Sequence, residues 1–177
     1  MSSPIKAIIG LGNLGSQYAY TRHNIGFRII DALAEKYAGI WQSQPKFEKS
    51  TVTIDGEAIL LIKPQTYMNN SGEVIPYLKK QGIKAENILV VHDELEKPFG
   101  KVSTKQGGSA RGHNGLKSII EYIGPDFYRA RIGIGRPENR EDVPRYVLEN
   151  FAQSQEDVEQ CIQRSVALIE NFIIHPE

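Results

Sequence analysis

Apolar positions along the chain alternate between short continuous runs and helical repeats. Residues 6–10 form a brief apolar run closed by glycine, which predicts a buried first strand. Ile25, Ile29, Leu33 and Tyr37 then recur at helical spacing, with Phe27, Ile30 and Ala34 widening the face, so a helix starts near Asn24. Residues 47–54 and 57–63 flank Asp55-Gly56, the dipeptide that most favours a tight hairpin turn. A second helix is predicted over 70–81, stopped by Gly82, with Pro76 requiring a kink or a later start. Residues 88–91 are continuously apolar, as in a central strand covered on both faces, and the run ends at His92-Asp93. After the glycine-rich stretch 107–112, Leu116, Ile119, Ile120 and Ile123 lie on one helical face. Residues 129–135 alternate as a strand, and Val158, Ile162, Val166, Ile169 and Ile173 mark a last helix. Cys161 sits beside that apolar face and reads as core.

Strands alternating with helices imply an α/β fold, and the Asp-Gly hairpin adds an antiparallel pair. The expectation is therefore one domain over residues 1–177, a mixed central β-sheet flanked by helices. The 177-residue length and 40% hydrophobic composition suit a single core. One cysteine permits no intrachain disulfide and no multi-cysteine zinc site, which fits a reducing compartment. Neither a secretory leader nor an apolar run of membrane-spanning length is read in the sequence. Net charge is zero, but its distribution is uneven. Residues 97–136 carry eight Lys or Arg against two acids, and residues 137–177 carry three Arg against nine acids. A surplus of six positive charges in one segment suggests a basic face for a polyanion; solvated surface charge is the plainer alternative.

Gly10-Leu11-Gly12-Asn13-Leu14-Gly15 matches the dinucleotide-binding fingerprint and follows a strand. That motif works by placing a helix N-terminus against a pyrophosphate directly after its third glycine. Here the helical repeat begins only near Asn24, and Asp31 and Glu35 fall within it rather than at the end of a second strand. The glycines read as a sharp turn at a strand end.

Of four histidines, His23 stands out by the company it can keep. It lies in a polar stretch just before a helix, whereas His92 is placed by alternation on the opposite face from Asp93, His113 sits at a helix start, and His175 lies near the end. If the strands are parallel, the loop carrying His23 and the carboxylate of Asp93 meet at the edge where such strands end. An aspartate paired with imidazole fixes its tautomer and stabilises the imidazolium formed on taking a proton. No nucleophile elbow accompanies the pair, so activation of water is the economical chemistry. Asn13, Asn69, Asn70 and Asn114 fall in loops or at helix starts. Their amides suit gripping a peptide or an oxyanion, with turn formation and capping as the structural alternative. Met68 either lines a pocket or fills core.

Gly10-Leu11-Gly12-Asn13, residues 18–27 (Tyr-Ala-Tyr-Thr-Arg-His-Asn-Ile-Gly-Phe), Lys63-Pro64-Gln65-Thr66-Tyr67-Met68-Asn69, His92-Asp93-Glu94-Leu95, residues 112–117 (Gly-His-Asn-Gly-Leu-Lys) and residues 131–135 (Arg-Ile-Gly-Ile-Gly) stand in a characteristic order. Together they resemble bacterial-type peptidyl-tRNA hydrolase. The resemblance implies hydrolysis of the ester between a peptide and tRNA, by a usually monomeric cytoplasmic enzyme needing no cofactor and no metal, with neither membrane nor DNA as partner. It implies that His23 is the general base and that Asp93 holds its basic form. Asn13 would help to select peptidyl over free aminoacyl ends. Tyr18, Tyr67, Asn69 and Asn114 would contact substrate, with Met68 in the same pocket segment. Lys105 and Arg131 would hold the tRNA 5′-phosphate, by shape and charge rather than base sequence.

This sequence departs from the family's usual pattern at Leu14, where proline is common, at Ser103, where some members have a second lysine, and at Arg111, where glycine is frequent. Two other readings remain: a catalytically silent RNA-binding splicing cofactor of the same fold, and an NAD-binding enzyme.

Overall fold

The computed structural model describes residues 4–175; residues 1–3, the start of the N-terminal segment read above, and residues 176–177 lie outside them. The apolar runs become strands β1 (Ala7–Gly10), β4 (Glu57–Pro64), β5 (Ile88–Glu94) and β7 (Tyr128–Gly133), all mutually parallel along the pairings β4–β1–β5–β7. The Asp-Gly dipeptide closes the hairpin between β3 (Phe47–Ile54) and β4 as expected, with Asp55 and Gly56 both at positive φ. Two elements without a sequence signal complete the sheet. The short β2 (Gln42–Ser43) pairs with β3, and β6 (Val102–Gln106) pairs antiparallel with β7. The result is a mixed seven-stranded sheet in the order β2-β3-β4-β1-β5-β7-β6.

Each face of the sheet carries its own core. The helices α1 (Ile25–Lys36) and α5 (Gln155–Ile174) bury Ile25, Ile29, Leu33, Ile162, Val166 and Ile169 against Ile8, Leu61, Leu89 and Val91. Cys161 lies in this core, as its position beside the apolar repeat suggested. On the other face α2 (Ile75–Lys80) and α3 (Asn114–Ile123) set Leu78, Leu116 and Ile119 against Ile9, Ile62, Ile88 and Val90. The alternation of 88 and 90 with 89 and 91 between the two cores is the period-two geometry of a strand covered on both sides. Pro76 delays α2: a 3-10 segment over Met68–Val74 comes first, and the proline occupies the first turn of the α-helix, where its missing N–H costs nothing. A five-residue helix α4 (Val143–Val147), too short to show a periodicity, completes the elements.

The parallel strands place the C-terminal ends of β1, β4, β5 and β7 along one edge, where α/β sheets form their crevices. α1 reaches that edge by direct backbone contact. A side chain at Gly26 would lie 2.5 Å from the carbonyl oxygen of Val91 and 2.6 Å from the amide nitrogen of Leu11, and one at Gly10 would lie 2.5 Å from the oxygen of Gly26. Only glycine at both positions lets the first turn of the helix rest on β1 and β5. Gly15, by contrast, leads into a 3-10 turn (Ser16–Tyr18), and α1 begins ten residues later. The third glycine of the fingerprint therefore has no helix N-terminus behind it. Among the described residues no helix is long and apolar enough to cross a membrane.

Candidate active site

His23 lies in the 3-10 turn Arg22–Asn24 that feeds α1, and Asp93 lies near the end of β5. The close packing of α1 on β5 brings them together: His23 Nδ1 is 2.8 Å from Asp93 Oδ2. A carboxylate can only accept here, so Nδ1 carries the proton and Nε2 holds the lone pair. Burial alone would favour neutral His23; the charge of Asp93 and its hydrogen bond outweigh burial and raise the imidazole pKa above its usual 6.5.

Sequence reasoning missed the second partner of Asp93. His113 caps the N-terminus of α3, its Nδ1 accepting from the backbone N–H of Gly115 (3.1 Å) and of Leu116 (3.3 Å). That fixes its tautomer with the proton on Nε2, which donates to Asp93 Oδ1 at 2.8 Å. Each carboxylate oxygen thus receives one imidazole N–H. Burial pushes the carboxyl pKa up, but the two imidazoles outweigh it and hold Asp93 well below the usual carboxylate range. His23, Asp93 and His113 also present three potential ligand atoms within 4.8 Å of one another. The forced proton on His113 Nε2 makes this a hydrogen-bonded set rather than a metal-ready one. The sequence hint was a histidine at a helix start, an unusual cap whose carboxylate partner is twenty residues distant.

His92 does not bond the Asp93 side chain, as alternation required. Its Nδ1 instead donates to the backbone oxygen of Asp93 at 2.8 Å. Burial, aided by the neighbouring His113, pushes its pKa down to about 3 and keeps the ring neutral.

Asn13 follows β1 and is held by a clip that motif reading also missed. Asn24 Oδ1 accepts from the Asn13 amide nitrogen (2.8 Å), and Asn24 Nδ2 donates to the Asn13 carbonyl oxygen (2.9 Å). The Asn13 side-chain oxygen accepts from the backbone N–H of Met68 at 2.7 Å. Because that N–H needs an acceptor, the amide orientation is set, and the Asn13 NH₂ is the half left without a partner among the described residues. The same bond ties the loop after β4 to the loop after β1. Gly72 secures this segment to α3, its N–H donating to Ser118 Oγ at 2.8 Å. Tyr67 is held half-exposed with φ 61° and ψ 159°, backbone geometry that favours glycine and costs about 1–3 kcal/mol elsewhere.

A cleft of about 390 Å³ beside His23 is lined by Asn13, Tyr18, Tyr67, Met68, Asn69 and Asn114, with Pro144, Val147 and Leu148 of the α4 segment along one side. All the residues expected to bind the peptide end are therefore brought together. Met68 both lines the cleft and packs in the core. The side-chain amides of Asn69 and Asn114 have no hydrogen-bond partner among the described residues. A smaller cavity of about 140 Å³, also lined by His23, is bounded by Asp93, His113, Leu116 and Val143. Over both, α4 is fixed by Arg22: Nη1 donates to the Tyr146 carbonyl at 2.9 Å, and the guanidinium lies 3.8 Å from the centre of the Tyr146 ring.

Lys105 and Arg131 lie on adjacent strands. Register pairs Ser103 with Arg131 and Lys105 with Arg129, so all four share one sheet face. Lys105 and Arg131 form no ion pair among the described residues. Arg129, which sequence reading did not single out, is buried and spends its guanidinium on the carbonyls of Ser109 (2.6 Å), Gly108 (2.5 Å) and Pro125 (3.3 Å), pinning the glycine-rich loop.

Comparison with known proteins agrees with the motifs. The sequence model of the family described as peptidyl-tRNA hydrolase matches residues 7–175. The peptidyl-tRNA hydrolase of Fervidobacterium nodosum is 45% identical over 172 residues, covering 94% of this chain and 90% of that protein. That of Rickettsia prowazekii is 48% identical over 151 residues, covering 84% and 82%. A crystal structure of peptidyl-tRNA hydrolase in complex with n-propanol superposes with a TM-score of 0.92 at 40% identity, covering 98% of this chain and 91% of that one. On sequence and fold alike, this chain belongs to the peptidyl-tRNA hydrolase family.

Proposed function

We propose that the protein hydrolyses the ester joining a peptide, or an N-blocked aminoacyl group, to the terminal ribose of tRNA, with His23 as general base. The observation that carries this is the bond from His23 Nδ1 to Asp93, which leaves Nε2 free beside an amide-lined cleft. Nε2 takes a proton from water as the water attacks the ester carbonyl. Asp93 stabilises the imidazolium so formed, and the proton then passes to the departing ribose oxygen. The free NH₂ of Asn13 can only donate, so it serves a carbonyl or a developing oxyanion and would oppose a free α-ammonium. That asymmetry favours peptidyl over free aminoacyl ends. Tyr18, Tyr67, Met68, Asn69 and Asn114 hold the peptide, and Lys105 and Arg131, which form no ion pair among the described residues, hold a tRNA phosphate. We read the protein as a monomeric, cytoplasmic enzyme, as the family resemblance implies.

The test is release of an N-acetylated amino acid from tRNA, with wild type beside His23→Ala. Wild type releases it, and the variant, with an unchanged melting curve, loses at least about 10²-fold in rate. Near-normal turnover by His23→Ala would remove His23 from the mechanism. No release by folded wild type on several tRNAs would leave an RNA-binding protein without catalysis.

A further inference from the structure

Arg111 stands in a backbone conformation that suits glycine. Its φ is 47°, in the left-handed region, and unlike Gly108 and Gly112 in the same loop it carries a Cβ. Strain of this kind persists where the surroundings hold it, and it clusters at active sites and ligand clamps. The loop is held on both sides of Arg111. Arg129 donates to the carbonyls of Gly108 and Ser109, and His113 bonds Asp93. Arg111 itself is exposed and forms no hydrogen bond or ion pair among the described residues. Two acids line the same cavity, and both are otherwise engaged: Glu96 pairs with Arg136, and Glu94 accepts from the Glu96 N–H.

Its place selects what it can bind. Two hollows share His23. Asn13, Tyr67 and Asn69 line the one given to the peptide, and Arg111 lines the other, with Asp93 and His113. An ester has two halves. With the acyl half in the amide-lined cleft, the ribose and the strand attached to it are left the hollow that Arg111 lines. The spans agree. A Cβ at Gly108 would lie 3.0 Å from the Lys105 ammonium, so that cation rests against the loop. Gly108 and Arg111 are three residues apart, and Arg111 and His113 two, which limits the spans to about 11 Å and about 7 Å. Along the loop, Arg111 therefore comes between the cation given to the 5′-phosphate and the histidines at the ester. In tRNA those two points are joined by a single strand with one phosphate per nucleotide. A guanidinium donates five N–H groups, accepts none and stays charged, which matches a phosphodiester.

We propose that Arg111 binds a phosphodiester of the single-stranded 3′ end of tRNA, a contact that this chain adds where glycine is frequent in the family. It guides the strand from Lys105 and Arg131 towards His23. The inference rests on the reaction proposed above. It also accounts for the strained residue: glycine would relax the loop and forfeit the charge.

Arg111→Gly is the test, read beside Arg111→Lys, which keeps the charge. Three N-acetylaminoacyl esters serve as substrates: full tRNA, a trinucleotide with the sequence of its 3′ end, and the terminal nucleoside alone. Arg111→Gly keeps its melting temperature, because the backbone there suits glycine. It raises KM for tRNA and for the trinucleotide alike, by about 2–5-fold, the worth of one exposed ion pair. The nucleoside ester suffers much less. For uncharged tRNA, the slope of log affinity against log salt falls by about 0.7, one single-strand phosphate contact, and Arg111→Lys retains it. Unaltered KM on tRNA and trinucleotide would leave Arg111 a solvated surface charge and overturn the contact. A loss on tRNA alone would assign it to the stem, and an equal loss on all three esters would assign it to the shape of the loop; either overturns the proposal. If wild type hydrolysed none of the esters, the proposed reaction would fall, while the salt slope for uncharged tRNA would still decide the contact: an unchanged slope in Arg111→Gly overturns it.

Discussion

His23 commits one nitrogen to Asp93 and, on the proposed mechanism, leaves the other for chemistry, and that division makes its pH behaviour informative. As the proposed base, His23 would work only when neutral. Burial favours that form, yet the charge and hydrogen bond of Asp93 outweigh burial, so the folded pKa stands above 6.5. The acid limb of kcat/KM is therefore expected above pH 6.5, with activity lost as pH falls through it. In Asp93→Asn the raising charge is gone and burial prevails, so the limb moves to lower pH. The plateau rate also drops, by about 10²–10⁴-fold, because an amide no longer fixes the tautomer or steadies the imidazolium. A pH–rate series on both proteins checks this; a limb that stays in place would mean that Asp93 does not set the His23 equilibrium. The pairing of these two side chains was legible in the sequence, since it needed only parallel strands ending at one edge. The role of His113 was not. An imidazole capping a helix with one nitrogen and bracing a carboxylate with the other leaves no mark beyond a histidine after a glycine.

Among the elements, α1 matters most, because the docking of its first turn brings the preceding 3-10 turn, with His23, to Asp93. Its approach depends on Gly26, where a methyl group would meet the Val91 oxygen at 2.5 Å and the Leu11 nitrogen at 2.6 Å. Both obstacles are backbone and cannot rotate aside. Gly26→Ala is expected to cost about 1–3 kcal/mol in stability, as overpacking does. Displacing the helix by about 1 Å would cost about 10²-fold in turnover. Thermal melts and single-turnover rates measure the two effects; a destabilised variant with full turnover would show that the close approach serves packing alone. The long elements could be read in advance because burial writes a period into them. β6 could not: its sequence Val-Ser-Thr-Lys-Gln is polar, as suits the outer strand of the sheet, and it contributes no core run. α4 has five residues, fewer than two turns, and owes its place to Arg22 and Tyr146 rather than to an apolar face. The delayed start of α2 follows from Pro76, but the 3-10 segment that fills the interval is fixed by contacts from Asn13 and Ser118, distant in sequence.

At the scale of the whole molecule, the zero net charge hides a division of labour that the structure narrows. Of the eight cations between residues 97 and 136, Arg136 is paired with Glu96 at 2.5 Å, and Arg129 is buried on three carbonyls. Lys105 and Arg131 share one sheet face and form no ion pair among the described residues. Arg131 stands in register with His92, one residue before Asp93, the carboxylate bonded to His23. On the proposed reading, phosphate recognition and ester chemistry sit on neighbouring positions of two paired strands, while the cleft proposed for the peptide is built from the loops after β1 and β4 and the start of α3. The two functions should consequently separate by mutation. Lys105→Ala with Arg131→Ala is expected to weaken tRNA binding and to reduce the slope of log affinity against log salt by about 1 for each lost contact, about 2 in all. Turnover of a short N-acetylated ester lacking the acceptor stem should suffer much less, since it engages only the cleft and His23. Titrating both substrates between low and moderate salt distinguishes the outcomes. Equal losses on the two substrates, or an unchanged salt slope, would place these cations in the fold rather than in the grip on phosphate.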